Sequence, residues 1–267
     1  MKHHQKEQTM TSRVIIITGA SGGIGAATAK LLAERGDKVV LAARRLTELK
    51  QVAGQCGRDA LPIVTDVTRR ANVEHLRDEA LRVFGQVDVW INNAGRALTR
   101  QVLDLTDEDF DLMMAINTKS ALYGMQAIMP YFKEHGAGHL INISSALGRI
   151  PFASYRSAYS ASKAALNSLT ANLRMDLHAA FPNIHVSVVM PPIVSSDFTR
   201  NALYGTPPPP PGGFRPGAAP QTPEQTAAAI VELVDHPRAE LYTNPGQAEM
   251  VARYFEDVAA FEENMGR

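Results

Sequence analysis

Two periods of apolar and polar residues alternate along the chain. Residues 13–18 (RVIIIT) form a short β-branched run closed by glycines, which reads as a strand buried on both faces of a parallel sheet. From residue 24 to 34 the apolar positions recur at helical spacing, and Gly36 stops them. The pair then repeats. Strands are predicted over 38–43 (KVVLAA), 60–64, 87–92, 139–144 and 184–190, with a short seventh over 240–243. Helices are predicted over 46–55, 69–84, 107–135, 157–180 and 224–234, with Asn117 in the middle of the longest. Strand and helix in strict alternation predict an α/β fold: one doubly wound parallel β-sheet with helices on both faces. Right-handed crossovers place every strand C-terminus on one edge, and ligands of such sheets bind there.

Residues 207–223 (PPPPPGGFRPGAAPQTP) break the pattern. Their prolines exclude a helix interior or a central strand. Too little follows for a second domain, so the segment is expected to be a loop within one domain spanning 13–267. That loop, near 195–223, is a candidate substrate loop. Residues 1–12 are polar, lack the apolar stretch of a signal peptide and are expected to form a flexible tail. No run of apolar residues is long enough to span a membrane.

Composition narrows the function classes. The 267 residues carry 27 basic and 27 acidic side chains, a formal net charge of zero. Neither nucleic acid nor an anionic membrane is therefore an expected partner. Cys56 is the only cysteine, which excludes an internal disulfide and a cysteine-based zinc cluster. A cytoplasmic protein without a metal is the expectation.

The chemistry begins where the first strand meets the first helix, at Thr18-Gly-Ala-Ser-Gly-Gly-Ile-Gly25. Glycine lets backbone turn sharply and approach an anion, and the helix start offers free N–H groups to a pyrophosphate. The spacing is TGxxxGxG, with Thr18, Gly19, Gly23 and Gly25. Further signatures follow in order. Asn92-Asn-Ala-Gly95 lies after the fourth strand, and Asn117 in the long helix. Ser144 and Ser145 end the fifth strand, and Tyr159-Ser-Ala-Ser-Lys163 opens the next helix. In these motifs the chain resembles the short-chain dehydrogenase/reductase family over about residues 13–196, and more loosely to 243. The resemblance implies a Rossmann-like fold and an oxidoreductase moving a hydride between NADP(H) and a carbonyl compound or secondary alcohol.

Tyr159 and Lys163, four residues apart, share one helix face. A cation roughly 4 Å from a tyrosine, at an effective dielectric near 20, contributes about 4 kcal/mol, or roughly three pKa units. Lys163, helped by the charge of an oxidised nicotinamide, is thus expected to bring Tyr159 from its usual value near 10 towards working pH. The resemblance implies that Ser145 orients the substrate oxygen. Because the family's usual spacing to the tyrosine is one residue shorter, Ser144 stays open as the alternative. It also implies that Asn117 breaks its helix locally and holds a water in a proton relay from Lys163.

For the cofactor the resemblance implies contacts from Gly19, Ser21, Gly23, Ile24, Gly25, Asp66, Val67, Asn92, Ala94, Gly95, Tyr159, Lys163, Pro191, Ile193, Val194 and Ser196. Asn93 is taken as structural. Ala43 stands where the family's NAD enzymes carry an aspartate, and Arg44 and Arg45 follow. A guanidinium can grip a 2′-phosphate that a carboxylate would repel, so NADP(H) is expected over NAD(H). Pro192 and Ser196 depart from the family's PGxVxT segment. Leu147, Phe152, Ile193, Phe198 and Leu203 suggest an apolar substrate pocket. Two rival readings are a 3-oxoacyl-[acyl-carrier-protein] reductase, docking its carrier on Arg96, Arg100, Arg149, Arg156 and Arg200, and a non-catalytic dinucleotide sensor. A homo-oligomer, tetramer or dimer, built on the two long helices is implied by the resemblance alone.

Overall fold

The computed structural model describes residues 12–205 and 220–265. The tail over 1–11 and most of the proline segment lie outside the described residues. Seven strands form one parallel sheet in the order β3-β2-β1-β4-β5-β6-β7. They are β1 (Val14–Thr18), β2 (Lys38–Ala43), β3 (Ala60–Val64), β4 (Val89–Asn92), β5 (Gly138–Ile143), β6 (Ile184–Met190) and β7 (Glu240–Tyr242). The order reverses between β1 and β4, which makes the crevice above Thr18 and Asn92 the topological switch point.

The period-2 alternation of the strands sorts the core into two layers. Ile15, Ile17, Leu41, Ile91 and Ile143 face α1 (Gly23–Glu34), α2 (Leu46–Cys56) and α8 (Pro223–Asp235). Ile16, Val40, Trp90, Leu140 and Val186 face α3 (Arg70–Phe84), α5 (Ser120–His135) and α6 (Ser157–Leu177). Apolar side chains on both faces explain why the strands read as continuous hydrophobic runs. No helix among the described residues is long and apolar enough to cross a membrane, and none of their His, Cys, Asp and Glu side chains form a group able to hold a metal.

Several boundaries move. The predicted helix over 107–135 is α4 (Asp107–Met114), a π-helical turn (Ala115–Lys119) and α5. The fourth strand begins two residues late, because the Asp88 carboxylate accepts from the Val14 N–H at 2.7 Å at the sheet's lower edge. The predicted helix over 157–180 ends at Leu177. Three short helices carried no prediction: α7 (Asp197–Arg200), α9 (Gln247–Glu256) and α10 (Val258–Met265). In the last two, Tyr254 packs edge-on against Phe261, with ring centroids 5.4 Å apart.

Far from the crevice, β5 and β6 bury His139. Its Nε2 lies 2.8 Å from the Ser187 hydroxyl, and its ring stands edge-on to His185. Burial, with smaller effects of His185 and Arg13, holds its pKa down to about 3. Between about pH 6.5 and that value the unfolded chain binds a proton that the folded chain refuses, so stability falls as pH falls. From pH 7 to 4 this group alone is expected to cost about 3 kcal/mol. Urea denaturation of His139→Gln should show a correspondingly shallower acid dependence; parallel wild-type and variant curves would refute this.

Candidate active site

The loops after β1 and β4 are stapled together at the switch point. The Thr18 hydroxyl accepts from the N–H groups of Asn93 and Ala94, both at 3.0 Å, and the Asn93 amide donates to the Thr18 carbonyl at 2.8 Å. Asn93 is therefore the structural residue expected. Gly19 has φ +68°, and a Cβ there would lie 2.8 Å from the Ala94 Cα. A Cβ on Gly25 would lie 2.7 Å from the Gly19 carbonyl oxygen. Only glycine fits either position. Gly22 caps α1 without a side chain, so the helix's first N–H groups gain no side-chain acceptor. A glycine-lined, uncapped helix start at a switch point fits a dinucleotide's pyrophosphate.

Asn92 and Asn93 face different ways. The Asn92 amide donates to Asn142 Oδ1 at 2.9 Å and to the Ala121 carbonyl at 3.2 Å, and its Oδ1 accepts from Trp90 Nε1 at 2.7 Å. Asn142 in turn donates to Thr170 at 2.9 Å. The Asn92 side chain thus ties β4 and β5 to α5 and α6 from inside the protein. The Asn92 side chain therefore plays the structural part of the turn it belongs to. Asn142 and Thr170 drew no attention in the sequence, although an asparagine inside the apolar run LINI was a signal.

The other side chains converge between β5 and α6. The Ser145 side chain faces the Tyr159 hydroxyl closely enough to favour its ionised form, and its Oγ accepts from the Leu147 N–H at 3.2 Å. Ser144 Oγ turns away and donates to the Lys163 carbonyl at 3.3 Å. The geometry separates the two serines and places Ser145 at the tyrosine. Lys163 Nζ donates to the Ile143 carbonyl at 2.8 Å and stands 5.9 Å from the Tyr159 ring centroid. A Cβ on Gly95 would come within 3.5 Å of that ammonium. Asn117 sits in the π turn, as the expected break required. Its Oδ1 accepts from the Arg96 N–H at 2.8 Å, and its Nδ2 donates to the Arg96 carbonyl and the Ser162 hydroxyl, each at 3.0 Å.

Lys163 by itself does not bring Tyr159 down. Burial pushes Tyr159 up to about 12, against the opposing effects of the Ser145 side chain and the Arg156 charge. Burial also lowers Lys163 to about 8. Lysine and tyrosine share a helix face, and burial sets the direction of both shifts. Tyr159 therefore holds its proton at neutral pH.

At the adenosine end, Arg45 Nη2 donates to the Ser21 hydroxyl at 3.1 Å, and Nη1 pairs with Glu48 at 3.1 Å. Arg44 is exposed and within electrostatic reach of Asp66. Asp66 Oδ1 accepts from the Thr68 N–H at 3.1 Å and its hydroxyl at 2.7 Å, and Val67 packs partly into the core. Ile24 likewise packs partly against the core beneath the loop. Pro191 accepts from the Ala146 N–H at 2.9 Å, and Ile193 and Ser195 pair with Gln221 on both sides of Val194. Ser196 lies across the crevice from Gly23: a Cβ there would be 3.6 Å from the serine Cβ.

Four of the five arginines read as a carrier-docking surface have partners within the chain. Arg100 pairs with Asp109, Arg149 with Glu240 and Arg200 with Asp197, while Arg156 is buried with its Nη1 3.0 Å from Thr99. A cavity of about 720 Å3 opens beside Leu147–Ser154, but along the α6 face carrying Ala161 and Ala164 rather than Tyr159. Part of the expected substrate wall therefore belongs to a different surface.

An uncapped glycine start at the reversal of the sheet, with a serine, tyrosine and lysine gathered at the ends of the neighbouring strands, defines a nucleotide-binding oxidoreductase. Residues 13–205 match the family model described as short chain dehydrogenase, and the chain belongs to that family. It is 38% identical over 191 residues to an uncharacterized oxidoreductase of Staphylococcus aureus, covering 71% of this chain and 81% of the relative. A short-chain dehydrogenase/reductase from Burkholderia phymatum, solved in complex with NAD, superposes with a TM-score of 0.83 at 26% identity, over 93% of this chain and 95% of that one. An alcohol dehydrogenase from Thermococcus sibiricus, complexed with 5-hydroxy-NADP, superposes with a TM-score of 0.75 at 25% identity, over 86% and 95%.

Proposed function

We propose that this oxidoreductase reduces carbonyl compounds with NADPH, and in reverse oxidises secondary alcohols. The observation that carries the reading is the gathering of the buried Tyr159, Ser145 and Lys163 in one place, with the Lys163 ammonium 5.9 Å from the tyrosine ring centroid. The nicotinamide supplies the hydride. Ser145 and Tyr159 hold the substrate oxygen, and the Tyr159 hydroxyl passes its proton to that oxygen as negative charge develops. Lys163, anchored on Ile143, offers its ammonium to the nicotinamide ribose and to the tyrosinate left behind. Asn117 keeps the π turn and the Arg96 peptide in place beside Gly95, and the turn is where a water resupplying the proton would be held. Ser21, Gly19, Gly23, Ile24 and Gly25 take the pyrophosphate, and Asp66 and Val67 flank the adenine. Ala94, Gly95, Pro191, Ile193, Val194 and Ser196 take the nicotinamide half.

Arg44 and Arg45 carry the choice of NADP(H), because no carboxylate stands at the end of β2 and two guanidiniums do. A charge-assisted contact to phosphate is worth about 1.5–3 kcal/mol, so Arg44→Ala with Arg45→Ala should weaken NADPH binding roughly tenfold to a hundredfold. NADH binding should barely move. Calorimetric titration with both nucleotides decides the point, and equal weakening of the two removes the arginines from this role.

A second copy of the chain is the proposed partner of the groove beside α6. Val102, Leu103 and Phe110 expose apolar surface there, next to the small side chains of Ala161 and Ala164. Sedimentation equilibrium should find a dimer or tetramer, and a monomer contradicts this. A cytoplasmic location fits a reductase drawing on NADPH.

A further inference from the structure

Residues 197–205 cross the mouth of the site as a strap. At its start, on α7, Phe198 stands edge-on to Tyr159 with ring centroids 5.8 Å apart. Its Cε2 would lie 3.8 Å from a Cβ on Gly95, so the ring lies beside the Gly95–Lys163–Tyr159 group. Further along, Ala202 is buried in one apolar cluster with Ala97 and Tyr159, against which Leu147 packs. Ala97, Ala202, Leu147 and Phe198 thus pack against Tyr159.

The strap is held by more than packing. Leu203 bridges Leu98, its N–H donates to the Ala97 carbonyl at 3.0 Å, and its carbonyl accepts from the Thr99 N–H at 3.0 Å. The Thr99 hydroxyl donates to the Gly205 carbonyl. Tyr204 has φ +62°, a left-handed conformation costly for a bulky side chain, and it persists only where surroundings impose it. What imposes it is on α4. The Tyr204 hydroxyl donates to Asp109 Oδ1 at 3.0 Å, Arg100 pairs with Asp109 Oδ2 at 3.2 Å, and the Arg100 guanidinium lies 3.9 Å over the Tyr204 ring. Asp109 is a buried carboxylate, so its two partners are required and not ornamental.

We propose that Phe198 is the specificity-determining wall of the substrate chamber, and that Tyr204, Asp109 and Arg100 are the positioning residues that latch it there, limiting substrates to compact carbonyl compounds. This rests on the reductase reading above. The ring takes up space beside Tyr159 that a bulky substituent would need; Phe198 is 38% exposed, so the strap that carries it, and not burial of the ring, is what keeps it there.

The test compares cyclohexanone with 1-tetralone, as substrates with NADPH, in wild type, Phe198→Ala and Tyr204→Phe. Wild type should favour cyclohexanone by about tenfold or more in kcat/KM, and Phe198→Ala should raise kcat/KM for 1-tetralone by about tenfold. Tyr204→Phe should move the preference the same way by a few fold, through KM rather than kcat, which a loss of folding stability alone would not produce. An unchanged size preference in Phe198→Ala overturns the proposal. Thermal stabilisation of the NADPH complex by cyclohexanol and by 1-tetralol gives a readout without turnover. If wild type reduces neither ketone, the reductase reading fails, and the alcohol pair still decides the size limit: stabilisation by both alcohols equally in wild type overturns it.

Discussion

Tyr159→Phe is expected to abolish turnover while leaving NADPH affinity nearly intact. The substitution removes one oxygen from a fully packed ring, so the cavity and backbone should persist. What disappears is the hydroxyl proposed to move a proton at the substrate oxygen. Positioned proton transfer contributes about 10²–10⁴ in rate, so kcat should fall by at least that range's middle, about a thousandfold. The direction of the tyrosine's shift matters here. Held up to about 12 by burial, Tyr159 is protonated across neutral pH, which suits donation during reduction. Carbonyl reduction should therefore be flat at neutral pH and fall in alkali, and the variant's residual rate should lose that dependence. Steady-state kinetics and nucleotide titration of the same preparation measure both halves.

Lys163→Met is expected to lose most of its activity and yet gain stability. Lys163 is 3% exposed, and burial lowers it to about 8 from 10.5. At pH 7 that burden is about 3 kcal/mol, from which the lost bond to the Ile143 carbonyl removes about 1 kcal/mol. A methionine of similar volume should thus stabilise the fold by about 2 kcal/mol, or a melting temperature several degrees higher. The sign has a pH signature. Between about pH 8 and pH 10.5 the unfolded chain holds a proton that the folded chain has released, so wild-type stability rises with pH. The variant lacks that rise, and its advantage should shrink across the same window. Denaturant titrations at pH 7 and 10 compare them; a Lys163→Met protein less stable than wild type at pH 7 would contradict the picture of a strained, buried cation.

The legibility of the sequence followed the physics of each feature. Six of the strands are predominantly apolar runs, which have few other readings, and the short β7 was legible as well. The helix through Asn117 read as continuous because a π turn adds one residue without interrupting the apolar face. Ser144 and Ser145 could not be separated by spacing, since their difference is one of side-chain direction past the end of β5. Tyr159 and Lys163 were visible as a pair, but burial is a tertiary property, and in the chain by itself it raises the tyrosine. The pairing of Arg149 was hidden because its partner, Glu240, lies far away in the chain. The left-handed backbone at Tyr204 carries no local signal, being imposed from α4.

The central claim is that this chain transfers a hydride from NADPH to a carbonyl carbon with Tyr159 delivering the proton. NADPH deuterated on its transferable position, incubated with a panel of small ketones and aldehydes, tests it directly by mass spectrometry of the product alcohols. The account predicts carbon-bound deuterium in the alcohol for wild type and essentially none for Tyr159→Phe, with both proteins binding the nucleotide. Nucleotide binding by wild type with no deuterated alcohol from any carbonyl in the panel would contradict it and favour a dinucleotide-sensing protein on the same fold.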